Sequence, residues 1–346
     1  MKKFFKKYFI DAMGSMALGL FSSLLIGVIL QQIFRLLPWD WIKPLGEIIV
    51  THTGATSPVV GAAIGVSIAY SFKSKPLVLF TSAAVGAIGY SVASGGISAG
   101  PVGAYIAVCI AATFGNWLEG KTRLDILLIP TVCLLSGAAV AILVGPGIAS
   151  FMRSLGAVIN EATQLQPFLM GVVVSTLMSL ILFSPLSSAA VSIMLSLSGL
   201  AAGAATAGCS ASMIGFAAAS IRDNKIGGVL AQGLGTSMLQ IGNTMRHPQI
   251  LIPSTVAAAI VGPLSTLVFK MTNNALGAGM GTSGLVGQIT TLTVMTEFES
   301  PSTVVLKIIG LHILIPAVIS WAVYELMYRQ GSIKRGYLSL EESTTE

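Results

Sequence analysis

Apolar runs of about 20 residues recur along the whole chain, each bounded by a charged, proline-containing or polar cluster. Runs of that length fit transmembrane helices, because a helix rising ~1.5 Å per residue needs about 20 residues to cross a ~30 Å hydrocarbon core. The pattern predicts crossings at residues 12–36, 58–72, 76–94, 101–118, 126–149, 167–184, 186–199, 200–221, 226–243, 250–269, 276–295 and 303–328. Two stretches depart from it. Trp39, Asp40 and Trp41 follow the first run and are placed at headgroup level, where tryptophan concentrates. Residues 153–166 are too polar to span and are expected to lie along the surface as an amphipathic segment.

Composition turns this pattern into a class. Only 9% of the 346 residues are charged and 54% are hydrophobic, whereas a soluble domain carries about 25% charge. So few charges cannot cover a soluble surface, and so apolar a chain is not disordered. The net charge of +6 comes from Lys and Arg scattered at segment ends. That is not the basic face a nucleic-acid partner needs. The expected class is an all-α polytopic membrane protein with about ten to twelve transmembrane segments.

Charge also sets the expected topology. With the N-terminus inside, Lys2, Lys3, Lys6, Lys7, Lys73, Lys75, Lys121, Arg123, Arg222, Lys225, Lys270, Arg329, Lys334 and Arg335 all fall on the inner side, as cytoplasmic loops require. Both termini are therefore expected in the cytoplasm of a multi-pass cell-membrane protein. The basic N-terminus could pass for a signal peptide, but its apolar run continues past Leu30 without a small-residue cleavage site. A retained first span is the reading.

Paired motifs recur in one order: Ser57-Pro58 with Ser184-Pro185, Ile88-Gly89 with Ile214-Gly215, Gly115-Asn116 with Gly242-Asn243, Ile129-Pro130 with Ile252-Pro253, and Gly145-Pro146 with Gly262-Pro263. An odd number of spans between the copies would make them inverted repeats, as in many secondary transporters. The division is residues 1–152 as a first repeat, 153–166 as the interfacial segment and 167–270 as a second repeat. Residues 271–328 are further membrane segments, and 329–346 a cytoplasmic tail.

No catalytic constellation stands out. His52, His247 and His312 are far apart without metal-partner spacing, and no lysine follows a glycine run as a nucleotide loop requires. No metal or cofactor is expected. Cys109, Cys133 and Cys209 all sit inside apolar runs, which suits packing rather than disulfides or zinc.

Candidate chemistry lies where apolar runs are interrupted. His52, Thr53 and Ser57 precede the short run 58–72, and Ser184-Pro185 precedes the short run 186–199. Broken segments in matching positions mark a midplane site, although Pro58 and Pro185 also suit ordinary helix starts. The stretch 94–101, rich in Gly and Ser, is either a tight turn or a hairpin tip. Gln232, Gln240, Asn243 and Thr244 place amides and hydroxyls in an apolar run, the last three on one helical face. They serve either as interhelical glue or as polyol ligands. Asn273, Asn274, Thr282, Ser283 and Gln288 form the last such patch. His312 reads as an interhelical hydrogen bond or a functional group, and Glu297 as a solvated loop residue or a ligand. Neutral amides and hydroxyls suit a hydroxyl-rich solute better than an ion.

The run from Gln232 to Asn243, His247-Pro248, and the stretch from Ile252-Pro253 to Ile260, Gly262 and Pro263 resemble the enzyme IIC-like membrane proteins of the phosphotransferase system. The nearest branch is the one containing perfringolysin-regulator-type proteins. The resemblance extends over about residues 10–330. It implies a homodimeric, elevator-type sugar permease with re-entrant hairpins, embedded in lipid. It also implies that a separate phosphocarrier phosphorylates the sugar. Thr296 and Glu297 are similar to the threonine and glutamate with which enzyme IIC proteins hold sugar hydroxyls, and His247 matches a family histidine. The tail beyond Arg329 is short and the three cysteines are in spans, so IIA and IIB functions are expected from separate partner proteins. The alternatives are an ion-coupled or facilitative transporter and a membrane ligand sensor.

Overall fold

The computed structural model describes residues 2–340 except 38, 55, 95, 96, 122 and 123. Ala55, Gly95, Gly96 and Arg123, all within segments singled out above, and tail residues 341–346 lie outside the described residues. The chain divides into two compact units, Met1–Ser154 and Leu155–Glu346.

The first unit contains α1 (Lys6–Gln31), α2 (Lys43–Thr53), α3 (Pro58–Ser71), α4 (Pro76–Ser91), α5 (Gly100–Leu118) and most of α6 (Asp125–Thr163). Pro58, Pro76 and Pro101 stand in the first turns of their helices, where a missing N–H costs nothing. Helix α3 packs on α1, α4 and α5. Small residues allow this: a Cβ on Gly65 would lie 2.0 Å from the Ser82 carbonyl oxygen. Between α4 and α5, β1 (Ala93–Ser94) pairs antiparallel with β2 (Ile97–Ser98). At one end of the unit Tyr8 donates to or accepts from Thr113 at 2.8 Å, Lys7 Nζ lies 4.3 Å from the Phe72 ring centroid, and Asn116 donates to Ser74. The N-terminal lysines, the 72–75 loop and the end of α5 therefore share one side.

Helix α6 runs through Pro130 and Pro146 for 39 residues, about 58 Å at the helical rise. The segment 153–166, expected as a separate surface piece, continues that helix as far as Thr163. Its polar residues simply extend a helix longer than the apolar stretch within it.

The second unit contains α7 (Pro167–Phe183), α8 (Ser188–Met194), α9 (Gly199–Ala219), α10 (Ile226–Gly235), α11 (Ile241–Arg246), α12 (Pro248–Val268), α13 (Ala275–Ala278), α14 (Val286–Met295) and α15 (Pro301–Arg329). Helix α9 is its centre and packs against α7, α12 and α15. An apolar cluster of Ala207, Ala211, Ala258, Val261, Val304 and Leu311 joins α9 to α12 and α15.

Among the described residues six helices are long and apolar enough to cross a membrane: α1, α5, α6, α9, α12 and α15. They become seven if α2 with its preceding turn and α3, bent by 62° to one another, count as one broken span. The chain is thus an all-α polytopic membrane protein. The remaining expected crossings are short: α4, α7 and α10 are apolar but below 18 residues, and α8 has 7 residues, about 10 Å. Hydropathy registers an apolar run without registering where its backbone breaks, and runs 186–199, 226–243 and 276–295 each break.

Candidate functional site

The middle of α9 is built from Ala, Gly, Ser, Thr and Cys, and nearly all of it is buried. Small side chains let foreign backbone touch it. A Cβ on Gly203 would meet the Met271 carbonyl oxygen at 2.0 Å, because the segment after α12 crosses there. Asn273 N donates to Gly199 O at 3.3 Å in the same crossing.

Two helix breaks converge on this surface. In the first, α10 ends at Gly235. Thr236 is extended, and its hydroxyl accepts from Met238 N to open the 3-10 turn Ser237–Gln240 before α11. In the second, α13 gives way to Gly279, Gly281 (φ +52), Gly284 (φ +53) and Leu285 (φ +59) before α14. Leu285 holds a left-handed conformation that costs an L residue about 1–2 kcal/mol, so surrounding contacts must fix it.

The contacts around the two breaks run through hydroxyls and amides. Thr282 donates to Gly233 O, joining one break to the other. Ser237 Oγ lies 3.0 Å from Ser212 Oγ, and Gln288 donates to Ser210 Oγ at 3.2 Å. Ser188 of short α8 donates to Gly279 O at 2.6 Å. Asn273 Nδ2 is shared by Thr206 Oγ1, Thr291 Oγ1 and Gly287 O at 2.8–3.1 Å. His312, fully buried in α15, lies with Nδ1 3.3 Å from Gln288 Nε2. The amide nitrogen donates, so Nδ1 accepts and the ring proton sits on Nε2.

Three buried polar atoms of this cluster have no hydrogen-bond partner: His312 Nε2, Gln288 Oε1 and Ser283 Oγ. Such atoms cost about 1–3 kcal/mol each when left unpaired, so they mark where a polar ligand would be repaid most. Donors and acceptors are both present and the side chains named are neutral. A hydroxylated, uncharged molecule fits that set.

A second group surrounds the first break. Gln240 donates to Gln232 Oε1 at 2.9 Å and accepts from Asn243 at 2.8 Å, while Gln232 donates to Ser220 Oγ and Gly228 O. The free hydrogens of this amide ladder go to the tail: Gln240 to Leu338 O and Asn243 to Ser339 O, both at 2.7 Å. His247 stacks on Tyr337 with ring centroids 3.6 Å apart and planes within 4°. Partial burial, then the neighbouring Arg246 charge, holds the His247 pKa below its usual value, which favours the neutral ring.

The residues singled out from sequence therefore separate. Thr282 and Ser283 lie in the convergence on α9. Gln232, Gln240, Asn243 and His247 form the ladder and stack against the tail, and Thr244 is buried beside them with Oγ1 unpaired. His52, Thr53 and Ser57 belong to the first unit. There Thr53 donates to Ile49 O, and Ser57 bonds His52 O and caps Val59 N, so this Ser57-Pro58 is a helix start. His52 is exposed. Glu297 is exposed just past the end of α14, while its neighbour Glu299 pairs with Lys307 at 2.6 Å.

Sequence reasoning missed Thr206, Ser210 and Ser212, although hydroxyls at 206 and 210, one turn apart in an Ala/Gly run, carried a readable signal. It also missed the tail as a partner. Among the described residues no group of three or more His, Cys, Asp or Glu is placed to hold a metal ion.

The family model of the phosphotransferase system EIIC matches residues 10–340, nearly the whole chain. The match is to the family and does not single out the perfringolysin-regulator-type branch. No curated protein and no solved structure matches the chain.

Proposed function

The chain belongs to the EIIC family of the phosphotransferase system, membrane sugar permeases that work with IIA and IIB proteins, and we propose that it carries a small, neutral, sugar-like solute bound where the two helix breaks meet α9. The single observation behind this assignment is that convergence. Thr282 joins the breaks, Ser210 and Gln288 line them, and Ser283, Gln288 and His312 each keep an unpaired buried polar atom there.

In this reading transport is elevator-type alternating access in a homodimer. Separate IIA and IIB proteins phosphorylate the solute after it enters, and both termini face the cytoplasm. The same-side placement of the N-terminus with the 72–75 loop, and of the tail with the 222–225 loop, agrees with the charge pattern. The inverted-repeat reading is supported by motif order alone.

The test is uptake into proteoliposomes of labelled hexoses, pentoses and polyols, with and without phosphoenolpyruvate and the soluble phosphocarriers. The reading expects phosphorylated sugar inside only when the phosphoryl chain is complete. Unmodified solute accumulating without it would assign an ion-coupled or facilitative transporter instead. Ligands that bind but never cross would assign a sensor.

A further inference from the structure

The tail beyond α15 has no role in the reading above, yet it is among the most heavily bonded segments of the second unit. Past Arg329 the chain turns at Gly331 (φ +76) and runs back, burying Ile333 and Leu338 to 1% and 0% exposure. Asp223, in the loop between α9 and α10, accepts from Gly336 N on one carboxylate oxygen (2.9 Å) and from Leu338 N on the other (3.1 Å). Asn224 accepts from Leu340 N at 2.9 Å and donates to Leu338 O at 2.8 Å. From the opposite side Gln240 reaches the same Leu338 carbonyl, Asn243 reaches Ser339 O, and His247 stacks on Tyr337. The tail thus ties together the loop before α10, the turn of the first break, and α11.

What else holds this broken segment decides what the tie does. The buried residues of α10 are Gln232, Gly233 and Gly235, while Ile226 and Leu230 are 79% and 51% exposed. No apolar side chain of α10 is buried in the unit. Within 226–246 the buried apolar side chains are Met238 and Ile241, in the turn after α10 and at the start of α11; α10 itself is held by polar bonds, which exchange with water at small net cost once both sides are hydrated. Apolar packing would not release so readily.

We propose that residues 332–340 are a strap that holds the broken segment 226–246 closed, and that its release lets α10 and α11 part and open the first break to solvent. The proposal rests on the solute-site reading only for what the opening exposes. Its primary test does not use transport.

The reporter is Thr244→Cys in the full chain, a buried position whose hydroxyl bonds to no strap residue. Its labelling by a hydrophilic maleimide is timed in detergent, with and without Asp223→Ala plus Asn224→Ala. The strap predicts labelling at least tenfold faster when both tail acceptors are gone. Buried Cys109, Cys133 and Cys209 should stay unlabelled, which separates local opening from unfolding. Equal rates with the native cysteines still protected would overturn the strap. If the double variant labels at all four cysteines, the deciding variant is Asn243→Cys with Ser339→Cys, two residues that the bond from the Asn243 side-chain amide to the Ser339 carbonyl places in contact. The oxidised pair should slow labelling of Thr244→Cys at least tenfold relative to the reduced pair, and an unchanged rate would overturn the proposal. Absence of uptake in the wild type would count against the permease reading and leave these rates to judge the strap.

Discussion

Adding one methyl group at Gly281 should dislodge the second helix break. The position has φ +52, and a Cβ built there lies 2.6 Å from the carbonyl carbon of Cys209 and 2.8 Å from Ser210 N. Carbon atoms prefer about 3.5–4.0 Å, so roughly 1 Å of retreat is needed, and the atoms on the other side belong to the backbone of α9. The break must move instead. Movement pulls on Gly287 N, which donates to Gly281 O at 3.1 Å, and on Thr282, which donates to Gly233 O. The left-handed conformation costs alanine about 1–2 kcal/mol, overpacking adds about 1–3 kcal/mol, and a disrupted buried bond about 1–3 kcal/mol. We expect Gly281→Ala to destabilise the protein by about 3–6 kcal/mol, since these terms partly share one displacement. The control is Gly147→Ala in the interior of α6, where nothing lies within 4 Å of the new Cβ; better helix propensity should leave it neutral or up to about 1 kcal/mol more stable. Thermal unfolding of both variants in the same detergent, with solute binding measured alongside, makes the comparison. If Gly281→Ala melts with the wild type and binds the same solute equally well, the break does not rest on α9 as described.

Two further outcomes follow from the site. Gln288→Leu keeps the volume roughly and removes the unpaired Oε1 open to a solute, along with the bonds to Ser210 and His312, so affinity for a transported sugar should fall about tenfold, one solute hydrogen bond of ~1.4 kcal/mol; calorimetric titration of the purified protein checks it, and an unchanged Kd would move the site elsewhere. Cys109, Cys133 and Cys209 are buried, so a hydrophilic maleimide should leave the folded protein unmodified and add three labels after denaturation in SDS, counted by intact mass; labelling of folded protein would contradict their burial.

Sequence carried the class and much of the fold's punctuation. Proline at the starts of α3, α4 and α5, and the apolar lengths of α5, α9, α12 and α15, follow from local chemistry and were legible. The breaks were legible as clusters of Gly, Thr and Ser, but not their depth or their meeting. That meeting depends on Gly203 and Gly281 admitting backbone against α9, and a glycine records that something approaches without recording what. Gln232, Gln240 and Asn243 were legible as a polar set, whereas Gln240 and Asn243 also reach the carbonyls of Leu338 and Ser339, about a hundred residues away. Backbone carbonyls have no signature in a sequence, so the amides read equally well as ligands for a sugar. The long α6 was divided because polarity changes near Arg153, although the helix itself does not stop there.

The glycine contacts of the second unit also bear on inheritance. Every single-nucleotide change that replaces a glycine codon's amino acid installs a residue with a Cβ. At Gly203, Gly208, Gly262 and Gly281 that Cβ would fall 2.0–2.6 Å from main-chain atoms of another segment. No one-step neighbour of these codons that encodes another amino acid fits without a shift in the opposing backbone, so such changes should be purged or preceded by that shift. The four positions form a genetic fingerprint of the assembled second unit, readable in any descendant whatever solute it has come to carry.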